Sequence, residues 1–154
     1  MYMKTILIAI FIASTDCISL RNAVDFKLCD DVVPTGIVSN VFVSECASLP
    51  CTFRRGQNYS IEIDFENNRG TEILTAEVYG IILGIPVPWP GLDRDGCNHM
   101  IIGGCPMHVG DYVTYGMAMP VDTLLPPVEA TLRWLIKGDD GREIFCFEIP
   151  VRLV

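Results

Sequence analysis

The stretch Tyr59-Ser60-Ile61-Glu62-Ile63-Asp64-Phe65-Glu66 alternates apolar and polar side chains without a break. Successive side chains of a strand point to opposite faces, so this stretch reads as a strand with one buried and one wet face. Val128, Ala130, Leu132, Trp134 and Ile136 repeat the rhythm against Glu129, Thr131, Arg133 and Lys137. A Gly138-Asp139-Asp140-Gly141 turn follows, and then Phe145, Phe147, Ile149, Val151 and Leu153 share one parity, with Glu148 and Arg152 on the other. Two such runs joined by a tight Gly-Asp turn predict a β-hairpin.

Outward from these segments, strands are expected near residues 24–29, 36–46, 72–83 and 111–119, which makes about seven. No stretch sustains a helical period, and short strands divided by turn signals predict an all-β antiparallel sandwich. The 154 residues suffice for one domain with a hydrophobic core.

The first residues have a different character. Thr5 to Thr15 behind Lys4 form a short apolar run with a basic start, too short to span a bilayer, and residues 1–19 read as a secretory leader that takes Cys17 with it. Residues 20–154 are then the exported, soluble domain. The net charge of −8 is unchanged by that cleavage, since Lys4 and Asp16 leave together, and its sign argues against nucleic acid and anionic membranes as partners. Six cysteines remain, an even set that reads as three disulfides in an oxidising compartment. Cys29 and Cys146 each share the polar parity of their strands. Cys46 and Cys51 bracket a short turn, and Cys97 and Cys105 bracket a Gly-containing loop. The expected pairs are therefore 29–146, 46–51 and 97–105. The sequon Asn58-Tyr59-Ser60 offers a glycan site, and Asn58 has the solvent-facing parity of its strand.

Two segments interrupt the strand pattern. Gly84-Ile85-Pro86-Val87-Pro88-Trp89-Pro90 is apolar, yet its prolines lack ladder donors, so a stiff loop is expected. Met119-Pro120-Val121 through Leu124-Leu125-Pro126-Pro127 is built the same way. Exposed apolar loops invite a ligand entrance, the alternative being that they plug the ends of the core; Trp134 alternates into the core, whereas Trp89 stands among prolines as a functional candidate. Cys97, His99, Cys105 and His108 offer zinc-type ligands, but the cysteines are expected to pair instead, leaving two ordinary surface histidines and no metal. Asp93 and Asp95 read as a solvated turn. The chain has no Gly-x-Ser-x-Gly elbow, no His-Glu-x-x-His pair and no phosphate loop, so neither an enzyme nor a cofactor is expected.

In order along the chain, Val24-Asp25-Phe26-Lys27, Cys46 with Cys51, Gly56-Gln57-x-Tyr59-Ser60, Gly84-Ile85-Pro86-Val87-Pro88, Asp95-Gly96-Cys97, Cys105-Pro106, Pro120-Val121 and Phe145-Cys146-x-Glu148-Ile149-Pro150-Val151 resemble the ML, or lipid-recognition, domain family in its Niemann-Pick type C2 branch. The resemblance implies an immunoglobulin-like β-sandwich whose sheets splay around a hydrophobic pocket for a sterol, fatty acid or hydrophobic semiochemical. It places the entrance at Val87, Pro88 and Trp89 on one side and Val121, Leu124, Leu125 and Pro126 on the other, with Ile63, Phe65 and Phe147 as walls. Aliphatic Leu125 stands where the sterol-carrying vertebrate pattern has an aromatic, and the 97–105 loop is slightly longer, which shifts the expected cargo towards flexible chains. Head-group selectivity is expected at the mouth. The implied protein is a monomeric carrier that hands cargo to a membrane receptor or transporter; an alternative is a lipid-dependent interaction or innate-recognition module.

Overall fold

The computed structural model describes residues 22–154, so the leader read at residues 1–19 lies outside it. Ten strands follow in order: β1 (Lys27–Leu28), β2 (Gly36–Val43), β3 (Cys51–Phe53), β4 (Gln57–Asn67), β5 (Thr75–Ile82), β6 (Ile85–Pro88), β7 (Met100–Ile102), β8 (Asp111–Val121), β9 (Glu129–Lys137) and β10 (Glu143–Leu153). They form two sheets of an immunoglobulin-like sandwich, one ordered β2-β4-β8-β7 and the other β1-β10-β9-β5-β6. β3 adds to β10 beyond β1 and runs parallel to it, pairing Val151 with Cys51 and Leu153 with Phe53. The seven expected strands are present, and β3, β6 and β7 are the three that sequence reading did not supply.

The decisive alternation of residues 59–66 becomes the middle of β4, whose odd residues Tyr59, Ile61, Ile63 and Phe65 are all buried. The expected hairpin is β9–β10, with Trp134 opposite Phe147 and the turn closed by Gly138 N–H to Arg142 O and Gly141 N–H to Gly138 O. Residues 24–29, expected as one strand, divide between the sheets. Val24 N–H donates to Val41 O of β2, whereas Lys27 and Leu28 pair with β10. The segment thus closes one end of the sandwich.

The two sheets are held together by ring contacts across the core. Phe53 meets Tyr59 at 4.5 Å, Tyr115 meets Trp134 at 6.1 Å and Phe65 meets Phe145 at 4.8 Å between centroids. Such tilted or edge-on aromatic pairs stabilise beyond their buried area.

All three disulfides join the expected partners, Cys29–Cys146, Cys46–Cys51 and Cys97–Cys105. The first lies on the outer face of its sheet, under Leu135 and Val32, so the polar parity that suggested the pair became a small second apolar cluster.

The proline run corrects the expectation of a loop. β5 turns at Leu83 and Gly84, both with positive φ, and returns as β6, pairing Ile82 with Ile85 and Tyr79 with Pro88. Two central residues with positive φ make the tight turn that matches strand twist. β6 tolerates Pro86 and Pro88 because it is the sheet edge, where alternate N–H groups have no partner to meet.

Candidate functional site

At the β6 end of the sandwich the two apolar segments come together. Trp89 follows β6; its backbone N–H donates to Val78 O at 2.8 Å and its indole Nε1–H to Pro120 O at 2.8 Å. One side chain therefore ties the edge of one sheet to the end of β8 in the other. The indole lies over Gly80, where an added Cβ would sit 3.8 Å from two ring carbons. Trp89 is 8% exposed, which is more enclosed than the half-open lip expected from a tryptophan between prolines.

The opposite lip is ordered by polar groups. Asp122 Oδ1 accepts from Leu124 N–H at 2.8 Å, Asp122 O accepts from Leu125 N–H at 3.2 Å, and Arg55 Nη1 donates to Leu125 O at 3.2 Å. Val87, Pro88, Trp89, Leu125 and Pro126 converge, with Gly80, Ile82, Pro90, Ala130 and Leu153, on one small open hollow. Nothing charged lines it.

The remaining residues expected at the site do not line this hollow. Val121 is buried and borders a separate, more polar hollow with Gln57, Asn58 and Asp122. Leu124 is 89% exposed and does not line the apolar hollow. Ile63, Phe65 and Phe147 are fully buried between the sheets and do not reach the lip. Asn58 is exposed at the start of β4.

Beyond Val121, sequence reasoning missed the inner face of β8, where Val113, Tyr115, Met117 and Met119 are also buried. The period-two signal was there, but it was used only to assign a strand. Two methionines on this wall matter because an unbranched thioether re-packs more readily than a branched or aromatic side chain.

Cys97 and Cys105, half of the set weighed for zinc, are bonded to each other. His99 is not the ordinary surface histidine expected. Its Nε2 lies 3.1 Å from Asp93 Oδ2, and its ring meets Tyr115 edge-on at 6.2 Å. Asp93 also accepts from Asp95 N–H at 3.0 Å and Asn98 Nδ2 at 3.3 Å, so it organises the loop that a solvated turn would leave loose. The Asp95 backbone N–H, then Asn98 and His99, hold the Asp93 carboxyl below the usual carboxylate range. Burial, and secondarily the Asp93 charge, push the Tyr115 phenol up, keeping it protonated.

The ML domain family model matches residues 23–153. This chain belongs to the ML domain family. Membership sets it among non-enzymatic lipid-recognition domains. It is 31% identical over 151 residues to the dog protein called NPC intracellular cholesterol transporter 2, covering 98% of this chain and 99% of the relative. A Niemann-Pick type C2 protein from the Japanese carpenter ant superposes with a TM-score of 0.76 at 20% identity, covering 84% of this chain and 99% of that one. Chicken MD-1, solved in complex with lipid IVa, superposes with a TM-score of 0.51 at 15% identity over 81% of this chain and 85% of that one. The last two show the shared sandwich.

Proposed function

We propose that the protein is a secreted carrier that takes a lipid-like apolar ligand between its two sheets through the mouth framed by Val87, Pro88, Trp89, Leu125 and Pro126, and then transfers it. The uncharged hollow where the two lips meet carries this reading, because it lies at the end of a core whose buried side chains carry no charge. Burying a chain of a dozen methylenes contributes about 10 kcal/mol before the cost of association, so micromolar affinity needs no polar contact. Met117 and Met119 on β8 give the wall that moves to admit it. The dog relative's name, a cholesterol transporter, supports carriage of lipid.

The remaining parts of the reading follow from sequence and surface. A leader through about residue 19 is removed, residues 20–154 act as a monomer, and Asn58 carries a glycan directed to solvent. Leu83 is 97% exposed and Leu124 89%, with Ile85 between β5 and the mouth also open. This apolar rim is the surface for a membrane receptor or transporter that receives the cargo, and it equally serves a lipid-dependent interaction module.

Native mass spectrometry of the purified protein, with identification of the lipid that travels with it, tests the proposal. An apolar lipid in one-to-one proportion is expected. Empty protein that also fails to take up added fatty acid or sterol would overturn it.

A further inference from the structure

Two polar hydrogens face the interior of the sandwich without an oxygen or nitrogen acceptor. Trp134 on β9 is fully buried, and its Nε1–H has no hydrogen-bond partner among the described residues. Tyr115 on β8, in the facing sheet, is also fully buried, and its hydroxyl has only Met117 Sδ at 3.7 Å. A thioether is a weak acceptor. The two rings meet edge-on at 6.1 Å, so the two side chains adjoin in one region of the core.

Buried indole and phenol groups ordinarily find a partner. An unmet one is destabilising, and phenylalanine would supply the packing without it. Neighbouring inward positions do use phenylalanine, at Phe65, Phe145 and Phe147.

We propose that Trp134 Nε1–H and Tyr115 Oη–H form a polar anchor inside the sandwich that donates to the oxygen of a neutral oxygenated lipid: a long-chain ketone, alcohol or ester. The assignment rests on the carrier reading above and specifies its cargo. Both groups are donors, so the complementary atom is an acceptor oxygen. A neutral oxygen fits because His99, whose ring meets Tyr115 edge-on, already has its Nε2 on Asp93. A carboxylate brought to Tyr115 would lose its water, gain no cation and meet the Asp93 charge, which already acts on the phenol.

Depth sets the length of the molecule. Trp134 stands four residues along β9 from Ala130, which lines the mouth, and Tyr115 five along β8 from Pro120, whose carbonyl holds Trp89 there. At the rise of an extended strand the anchor lies roughly 13–17 Å inside. The oxygen therefore leads and the tail trails to the lip, the reverse of the orientation that placed head-group selection at the mouth. A fatty acid enters tail first and leaves its carboxylate outside.

Tetradecane and methyl dodecyl ketone, matched in length, separate the anchor from general apolar binding. Each is used to displace a phenylnaphthylamine probe from the wild-type protein and from Tyr115→Phe. The variant removes only a hydroxyl bonded to sulfur, so its apo melting temperature should match or exceed wild type. The ketone should weaken about five- to tenfold in the variant while tetradecane stays within about twofold. The indole proton of Trp134, assigned in nuclear magnetic resonance spectra with Trp89→Phe, should move downfield with the ketone and stay in place with tetradecane. Equal effects on both ligands, or an indole proton indifferent to the ketone, would overturn the anchor. If tetradecane binds while the indole proton ignores the ketone, the anchor alone fails; if neither molecule displaces the probe from wild type, the carrier reading fails with it.

Discussion

Trp89 and Trp134 are both buried, but they answer to different neighbours. Trp134 was legible from parity alone, since it occupies an inward position of an alternating strand. Trp89 was not, because its acceptor is the carbonyl of Pro120, thirty-one residues away on the other sheet. Truncating Trp134 to alanine should cost about 3–5 kcal/mol, a core cavity with little room to collapse. Trp89→Ala, bordered by loops that can close over the gap, should cost about 2–3 kcal/mol of stability and a further 1–2 kcal/mol or so of ligand affinity. Thermal unfolding without ligand, followed by ligand titration, measures both. Equal apo losses for the two variants, with no separate loss of affinity, would make Trp89 a plug of the core and nothing more. The polar hydrogen on Trp134 left no mark in the sequence, since whether a buried donor is met depends on atoms contributed by the facing sheet.

Strands long enough to show their period were readable as such, which is why the inward residues of β4, β9 and β10 fall where parity put them, although Leu135, Ile144 and Cys146 on the outward parity are buried too. β3, β6 and β7 are four residues or shorter, and so few residues carry no detectable alternation. β6 was further hidden by its prolines, because nothing local distinguishes an edge strand from a loop. The disulfides are a prediction at this scale. In the chain-entropy model, removing Cys29–Cys146, with its separation of 117 residues, should cost about 5 kcal/mol, and removing Cys46–Cys51 or Cys97–Cys105 about 2 kcal/mol each. Denaturant unfolding of the three paired Cys→Ala variants gives the ranking, and a short loop costing as much as the long one would contradict it. The lips make the second prediction. Leu125 walls the hollow with an aliphatic side chain, so flexible chains should fit better than rigid rings. Displacement of a fluorescent fatty acid by oleate and cholesterol decides this, and cholesterol acting at about tenfold lower concentration would reverse the preference.

For the molecule as a whole, the carboxylates set the acid limit. Asp31 is held below its usual range by the Arg133 side chain, Asp93 by the Asp95 backbone N–H and Asp140 by the Arg142 backbone N–H. A group whose folded pKa is depressed adds stability above its unfolded pKa and loses it as pH falls through the folded one. The melting temperature should therefore hold steady down to about pH 5 and fall below about pH 4, the unfolded carboxylate range; Asp93→Asn should flatten part of that fall. The sandwich itself was visible in strand parity, but the meeting of its two lips was legible only through the family resemblance, because it depends on which ends of β6 and β8 face each other. A last consequence belongs to the history of each molecule. β10 pairs with β1, β3 and β9, and Cys29 waits for Cys146. A chain made from its N-terminus thus exposes Cys29 first to Cys46 and Cys51, which are wrong partners, and an oxidant that acts early commits it to them. The correct bond is a late event in biosynthesis, and a ribosome that stops before residue 143 makes an unpaired sheet, not a shorter carrier.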